Sequence, residues 1–102
     1  MARTAVCKTG DVPPQSIRQF DKICVVNTGE RYFACQAYCP HQGVALCEGA
    51  LEGDTLICLE HLWQWNLGEG GTPQGLAERA LQMHEVEVEG GVVYVNFSPQ
   101  PA

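Results

Sequence analysis

The chain is short of several things that would place it quickly. It has no long apolar run. None approaches the ~18–20 residues that a membrane-spanning helix requires, and the opening stretch M-A-R-T-A-V-C-K-T-G-D has no unbroken apolar segment before Lys8 and Asp11. The expectation is a soluble cytoplasmic protein with no secretory signal and no membrane partner. It is also poor in cations. Six Lys and Arg stand against twelve Asp and Glu, a formal charge of −6, so nothing is available to neutralise a phosphate backbone and nucleic acid is excluded as a partner. An acidic surface suits a carrier that docks briefly on basic patches, and it equally serves plain solubility. No repeat and no long linker divides the 102 residues, which suit a single domain, 1–102, with one core. Histidine is scarce, with three in the chain.

Against these absences stand six cysteines, eleven glycines and six prolines. In a reducing compartment a small cysteine-rich chain is more often a metal binder than a disulfide scaffold. The glycines and prolines fit many short strands joined by tight turns. K-I-C-V-V-N at 22–27 ends at the turn T-G-E, and R-Y-F-A-C-Q-A at 31–37 returns, which predicts a hairpin. T-L-I-C at 55–58 follows the turn residues Gly53 and Asp54. The clearest hairpin is 84–97, where H-E-V-E-V-E alternates, G-G turns and V-V-Y-V-N-F returns. Val86 and Val88 are expected to face the core, and Glu85, Glu87 and Glu89 water. L-A-E-R-A-L-Q-M at 76–83 is the one helical candidate, with an extended path as its rival. G-E-G-G-T-P-Q-G at 68–75 reads as a loop without regular structure, and the tail S-P-Q-P-A as frayed.

Three cysteines and two histidines crowd into residues 39–61. Cys39-Pro40-His41 is a C-x-H and Cys58-Leu59-Glu60-His61 a C-x-x-H, with sixteen residues between His41 and Cys58. That length lets the chain leave one loop, turn through L-E-G-D and return with a second loop beside the first. Two thiolates and two imidazoles admit a single tetrahedral zinc, or a 2Fe–2S cluster with cysteines on one iron and histidines on the other. Zinc sites usually pair like ligands. Here each short pair is mixed, as a binuclear centre with asymmetric ligation demands. Cys47 has no ligand neighbour at metal spacing and is set aside. Cys7, Cys24 and Cys35 lie in strand-like runs, where cysteine acts as a small buried hydrophobe; Cys35 is the one that a zinc site would recruit. His84, at the start of a strand, reads as a surface histidine.

The paired motif resembles the Rieske iron–sulfur motif, C-x-H followed some 15–17 residues later by C-x-x-H. The resemblance implies an all-β fold: an antiparallel Rieske-type β-sandwich with a cluster-binding subdomain of two loops, at about 39–48 and 58–66. A glycine- and proline-containing loop at about 68–75 covers the cluster. It implies one Rieske-type 2Fe–2S cluster, with Cys39 and Cys58 on the inner iron and His41 and His61 on the outer iron near the surface. Gln42 and Trp63 stand next to these ligands. Trp63 and Trp65 alternate with His61, as a platform beside the cluster or as ordinary core; for Trp65 the core reading is preferred.

High-potential members of the family bridge their loops with two further cysteines, at positions held here by Val44 and Glu60. They also place hydroxyl donors where this chain has Trp63 and Trp65. Donors to the sulfurs stabilise the reduced cluster and raise its potential. Their absence implies a midpoint toward the low end of the Rieske range, roughly −150 mV rather than +300 mV. A mononuclear iron site of two histidines and a carboxylate cannot be assembled when only His84 remains, which points to a carrier and not an enzyme. The details C-P-H-Q and E-H-L-W-Q-W-N resemble ferredoxin components of bacterial toluene and alkene diiron monooxygenases. That resemblance implies a monomer carrying electrons from an NADH-dependent flavin reductase to an oxygenase hydroxylase component. The alternatives are the ferredoxin of a ring-hydroxylating dioxygenase, a nitrite reductase small subunit and a non-redox zinc module.

Overall fold

The computed structural model describes residues 3–39, 44–59, 62–75, 77 and 79–97. Among the described residues ten strands carry the architecture: β1 (Thr4–Lys8), β2 (Ser16–Phe20), β3 (Ile23–Asn27), β4 (Tyr32–Gln36), β5 (Ala50–Glu52), β6 (Thr55–Cys58), β7 (Trp63–Asn66), β8 (Thr72–Gly75), β9 (Met83–Glu89) and β10 (Val92–Asn96). Six form one sheet in the order β1-β10-β9-β4-β3-β2, and four form a second in the order β5-β6-β7-β8. Every pairing is antiparallel. Among the described residues there is no α-helix, only three single 3-10 turns.

β3 is the centre of the molecule. All five of its residues are buried, because both of its faces are covered. Side chains alternate across a strand, so Ile23 and Val25 enter one core while Cys24 and Val26 enter another. β4 divides in the same way, with Tyr32 and Ala34 on the first side and Phe33 and Cys35 on the second. The first core closes when β1, β9 and β10 fold over, bringing Val6, Val86, Val93 and Val95 onto Val25 and Ala34. The second closes when the four-stranded sheet brings Leu56, Trp63 and Trp65 onto Cys24, Val26 and Cys35. The result is the antiparallel sandwich with an added subdomain that the sequence implied.

The hairpins β3–β4 and β9–β10 form as predicted, with Val26 facing Phe33 and Val88 facing Val93. Two expectations need correction, and one left open is decided. Val86 is partly buried in the first core, but Val88 is 47 % exposed. β4 pairs with β9 only at Ala34–His84 and Cys35–Met83, so β9 runs past β4 and Val88 is covered on one flank alone. Residues 68–75 are not free of regular structure. Leu67–Glu69 is a 3-10 turn, and Thr72–Gly75 pairs with β7, Pro73 lying opposite Trp65. Proline is tolerated because β8 is an edge strand, where its missing N–H breaks no ladder. The helical candidate at 76–83 is not a helix at its described positions: residues 77 and 79–82 take no regular form and Met83 opens β9. Burying Leu81 in the second core and joining the backbone of Gln82 to Gln36 outweigh a weak local preference.

Asn27 is the buried polar residue of β3. Its Nδ2 donates to the Val12 carbonyl at 2.8 Å, and its Oδ1 accepts from the Gly29 N–H at 2.8 Å. It thereby ties the β3–β4 turn to the segment before β2. Asn27→Ala leaves both backbone groups without their partner and is expected to cost about 2 kcal/mol in urea denaturation. A stability within 0.5 kcal/mol of the parent, inside the ~0.5 kcal/mol of a neutral surface change, would contradict this reading.

Candidate metal centre

Each of the two cysteines proposed as ligands stands at the base of a closed loop. Cys39 follows the Tyr38–Ala45 bridge that extends β4, and its N–H donates to the Val44 carbonyl at 2.8 Å. One residue beyond that bridge, Leu46 N–H returns to Ala37 O at 2.8 Å. These bonds pin the neck of the first loop. Cys58 ends β6, and its carbonyl accepts from the Leu62 N–H at 2.8 Å, so the chain reverses within four residues. The reversal puts Leu62 at φ +59°, a left-handed conformation disfavoured for a branched side chain. Leu62 is also 55 % exposed and Leu59 57 % exposed, so the second loop presents leucines to solvent on both sides of its tip.

The loops lie against each other. Cys39 and Cys58 are both 2 % exposed and belong to one buried cluster with Trp63, Trp65 and Leu46. Val44 of the first loop and Cys58 and Leu59 of the second line one cavity of about 140 Å³, together with Ala45, Glu48 and Gly49. Gly49 allows this approach. A Cβ there would overlap the Ile57 carbonyl oxygen, the residue before Cys58. His41 and His61, the two imidazoles of the motif, lie outside the described residues, as do Gln42 and Glu60.

The remaining cysteines fall where a structural role puts them. Cys24 and Cys35 face each other across β3 and β4 and are fully buried. Burial pushes the Cys24 thiol up to about 12. Burial also holds the Cys35 thiol well above the usual range, so both are neutral core thiols near pH 7. Cys7 packs at the margin of the first core. Cys47 sits in the turn Leu46–Glu48, half-buried, its thiol 3.5 Å from Gln19 Oε1. His84 is half-buried against the Phe97 ring, and burial lowers its pKa. It lies across from Ala34, on the face of β4 that belongs to the first core, and so on the side away from Cys39 and Cys58.

Both tryptophans are buried, edge to face with centroids 6.2 Å apart. The register sets Trp63 directly across from Cys58 and Trp65 across from Leu56, so Trp63 shares a face with the thiol. The Trp65 indole N–H donates to the Arg79 carbonyl at 2.8 Å. It is therefore engaged away from any sulfur, and Trp65 is core as preferred. The same bond ties the segment after β8 to the second sheet.

A Rieske [2Fe–2S] domain model matches residues 2–90. The chain belongs to the Rieske [2Fe–2S] family. It is 37 % identical to the ferredoxin component of the alkene monooxygenase system of Xanthobacter autotrophicus, over 94 % of this chain and 82 % of that protein. To the ferredoxin component of biphenyl 2,3-dioxygenase from Rhodococcus jostii it is 34 % identical, over 95 % and 94 % of the two chains. Among solved structures it is similar to a chain from a complex of reduced oxygenase and oxidised ferredoxin of carbazole 1,9a-dioxygenase. That similarity has a TM-score of 0.86 and 29 % identity, covering 98 % of this chain and 97 % of the other. The Rieske domain carries electrons, and its cofactor is one Rieske-type 2Fe–2S cluster. The residues present fit that group. All six cysteines are described and all are thiols, and two of them, Cys39 and Cys58, are buried in one apolar cluster, Cys58 also lining the cavity. Thiolate sulfur is the donor such a cluster requires.

Sequence reasoning missed Gly49. A glycine before a strand carries no metal signal, and only its closeness to the Ile57 carbonyl reveals its part. Gly49→Ala is expected to cost about 1–3 kcal/mol from overpacking and to speed the bleaching of the cluster's visible absorption by a chelator. Thermal melting and bleaching at wild-type values would show that the loops do not depend on this approach.

Proposed function

We propose that Cys39, His41, Cys58 and His61 hold the cluster in the single domain 1–102, and that the protein is a monomeric cytoplasmic carrier between an NADH-dependent flavin reductase and an oxygenase hydroxylase component. The observation that carries this reading is the pair of buried thiols at the necks of two adjoining loops, each two or three residues before a histidine. When bound, the cluster supplies a site that takes up and releases one electron. The chain's own residues do the rest. Leu46, Trp63 and Trp65 pack against the cysteines and exclude water on the inner side. The two necks fix the points from which each loop departs. Leu59 and Leu62 offer an apolar surface on the loop that holds His61, and the charge of −6 favours an approach by a basic partner.

Of the oxygenase classes, a multicomponent diiron alkene or aromatic monooxygenase is preferred. The similarity to the alkene monooxygenase ferredoxin component supports it, as do C-P-H-Q and E-H-L-W-Q-W-N. The similarity to the biphenyl dioxygenase component supports a ring-hydroxylating system as the second reading. Reconstituted turnover separates them: the reduced protein is offered to a diiron hydroxylase, a ring-hydroxylating dioxygenase and a nitrite reductase, and the first is expected to be served best. His41→Ala and His61→Ala are expected to lose the Rieske EPR signal and all turnover, while Cys47→Ser keeps both. Loss of the signal in Cys47→Ser would refute the ligand assignment.

The absent loop disulfide and the engaged Trp65 N–H both favour a low potential. A redox titration is expected to give a midpoint roughly near −150 mV. A value well above zero would show that other donors reach the sulfurs.

A further inference from the structure

We infer that Gln36 is the positioning residue for Cys39, an inference that rests on Cys39 being a cluster ligand. Gln36 ends β4, three residues before Cys39. The peptide unit joining Tyr38 to Cys39 is held at both ends. Gln36 Nε2 donates to the Tyr38 carbonyl at 2.6 Å, and the Cys39 N–H donates to the Val44 carbonyl at 2.8 Å. With both polar groups of that peptide engaged, its plane is fixed, which sets the frame from which the Cys39 side chain leaves the chain.

Gln36 is itself braced. Its Oε1 accepts from the Gln82 N–H at 2.8 Å, and its own N–H donates to the Gln82 carbonyl at 2.9 Å. Gln82 belongs to the stretch in which Leu81 enters the core shared with Cys39 and Cys58, and in which the Arg79 carbonyl receives the Trp65 indole. One half-buried carboxamide therefore joins the neck of the first cysteine loop to the segment lying over the second sheet. Glutamine suits the place because a single planar group must donate on one side and accept on the other. An ionised glutamate accepts only, and leucine does neither.

A residue that merely stabilises the fold changes the melting temperature and leaves the cluster's spectrum alone. A residue that sets a ligand's direction changes the spectrum even where the fold is intact. Gln36→Leu removes both side-chain contacts. Gln36→Glu, above the carboxylate pKa, keeps the acceptor for Gln82 and removes the donor to Tyr38. Iron content, EPR g values of the dithionite-reduced protein and the rate of bleaching by a chelator are measured for wild type and both variants. Both variants are expected to bind a full cluster with shifted g values. Gln36→Leu is expected to bleach roughly thirtyfold faster, the scale of two ordinary hydrogen bonds. Gln36→Glu is expected to melt near the wild-type temperature and still show the shift. Wild-type g values and bleaching rates in the variants would overturn the inference, whether or not the melting temperature falls. Should Gln36→Leu fail to fold, Gln36→Glu decides alone. A wild-type protein with no Rieske signal is a different failure, of the ligand assignment, and would take this inference with it.

Discussion

The burial of β3 on both faces is the constraint on which the rest depends. A strand covered on one side alternates apolar and polar residues; Ile23–Asn27 does not, because each side chain meets a different core. One face makes the sandwich with β1, β9 and β10. The other is a platform for the four-stranded sheet, and only there do Cys39 and Cys58 find themselves in one apolar cluster. Arg31 reinforces the join at the rim, with Nη2 2.9 Å from Asp54 Oδ2. Both side chains are well exposed to solvent there, so the pair adds little beside the apolar area.

The two loops use one construction. A strand, or its extension, ends at a cysteine, and a backbone hydrogen bond at that cysteine closes the loop: Cys39 N–H to Val44, and Leu62 N–H to Cys58. The thiols are thus fixed by the sheets. Leu62, in its left-handed conformation, is exposed, and the core gains nothing from it.

Much of this was legible in the residues. The hairpins at 22–37 and 84–97 announce themselves by alternation and by T-G-E and G-G, because their pairing is local and each turn needs specific residues. The ligand motif is legible because metal geometry restricts the spacing of donors along a loop. The edge strand Thr72–Gly75 was hidden. Glycine and proline there look like a plain loop, and only its pairing with Trp63–Asn66 makes it a strand. The stretch 76–83 was ambiguous for a related reason: its eight residues carry too little helical preference to resist the pull of Leu81 into the core. The exposure of Val88 was equally hidden, since alternation says which way a side chain points and not whether another strand covers it.

By itself the sequence determined the family, the donor set to be tested and the all-β class, since each rests on residue types at short fixed spacings. Tertiary structure alone decided that Trp63 faces Cys58, that the Trp65 N–H is engaged by Arg79, that Gly49 touches Ile57 and that Gln36 joins Tyr38 to Gln82. Each of these is a contact between segments far apart along the chain, or a register across a sheet. Such contacts follow from how two sheets close on β3, and no local pattern of residues encodes them.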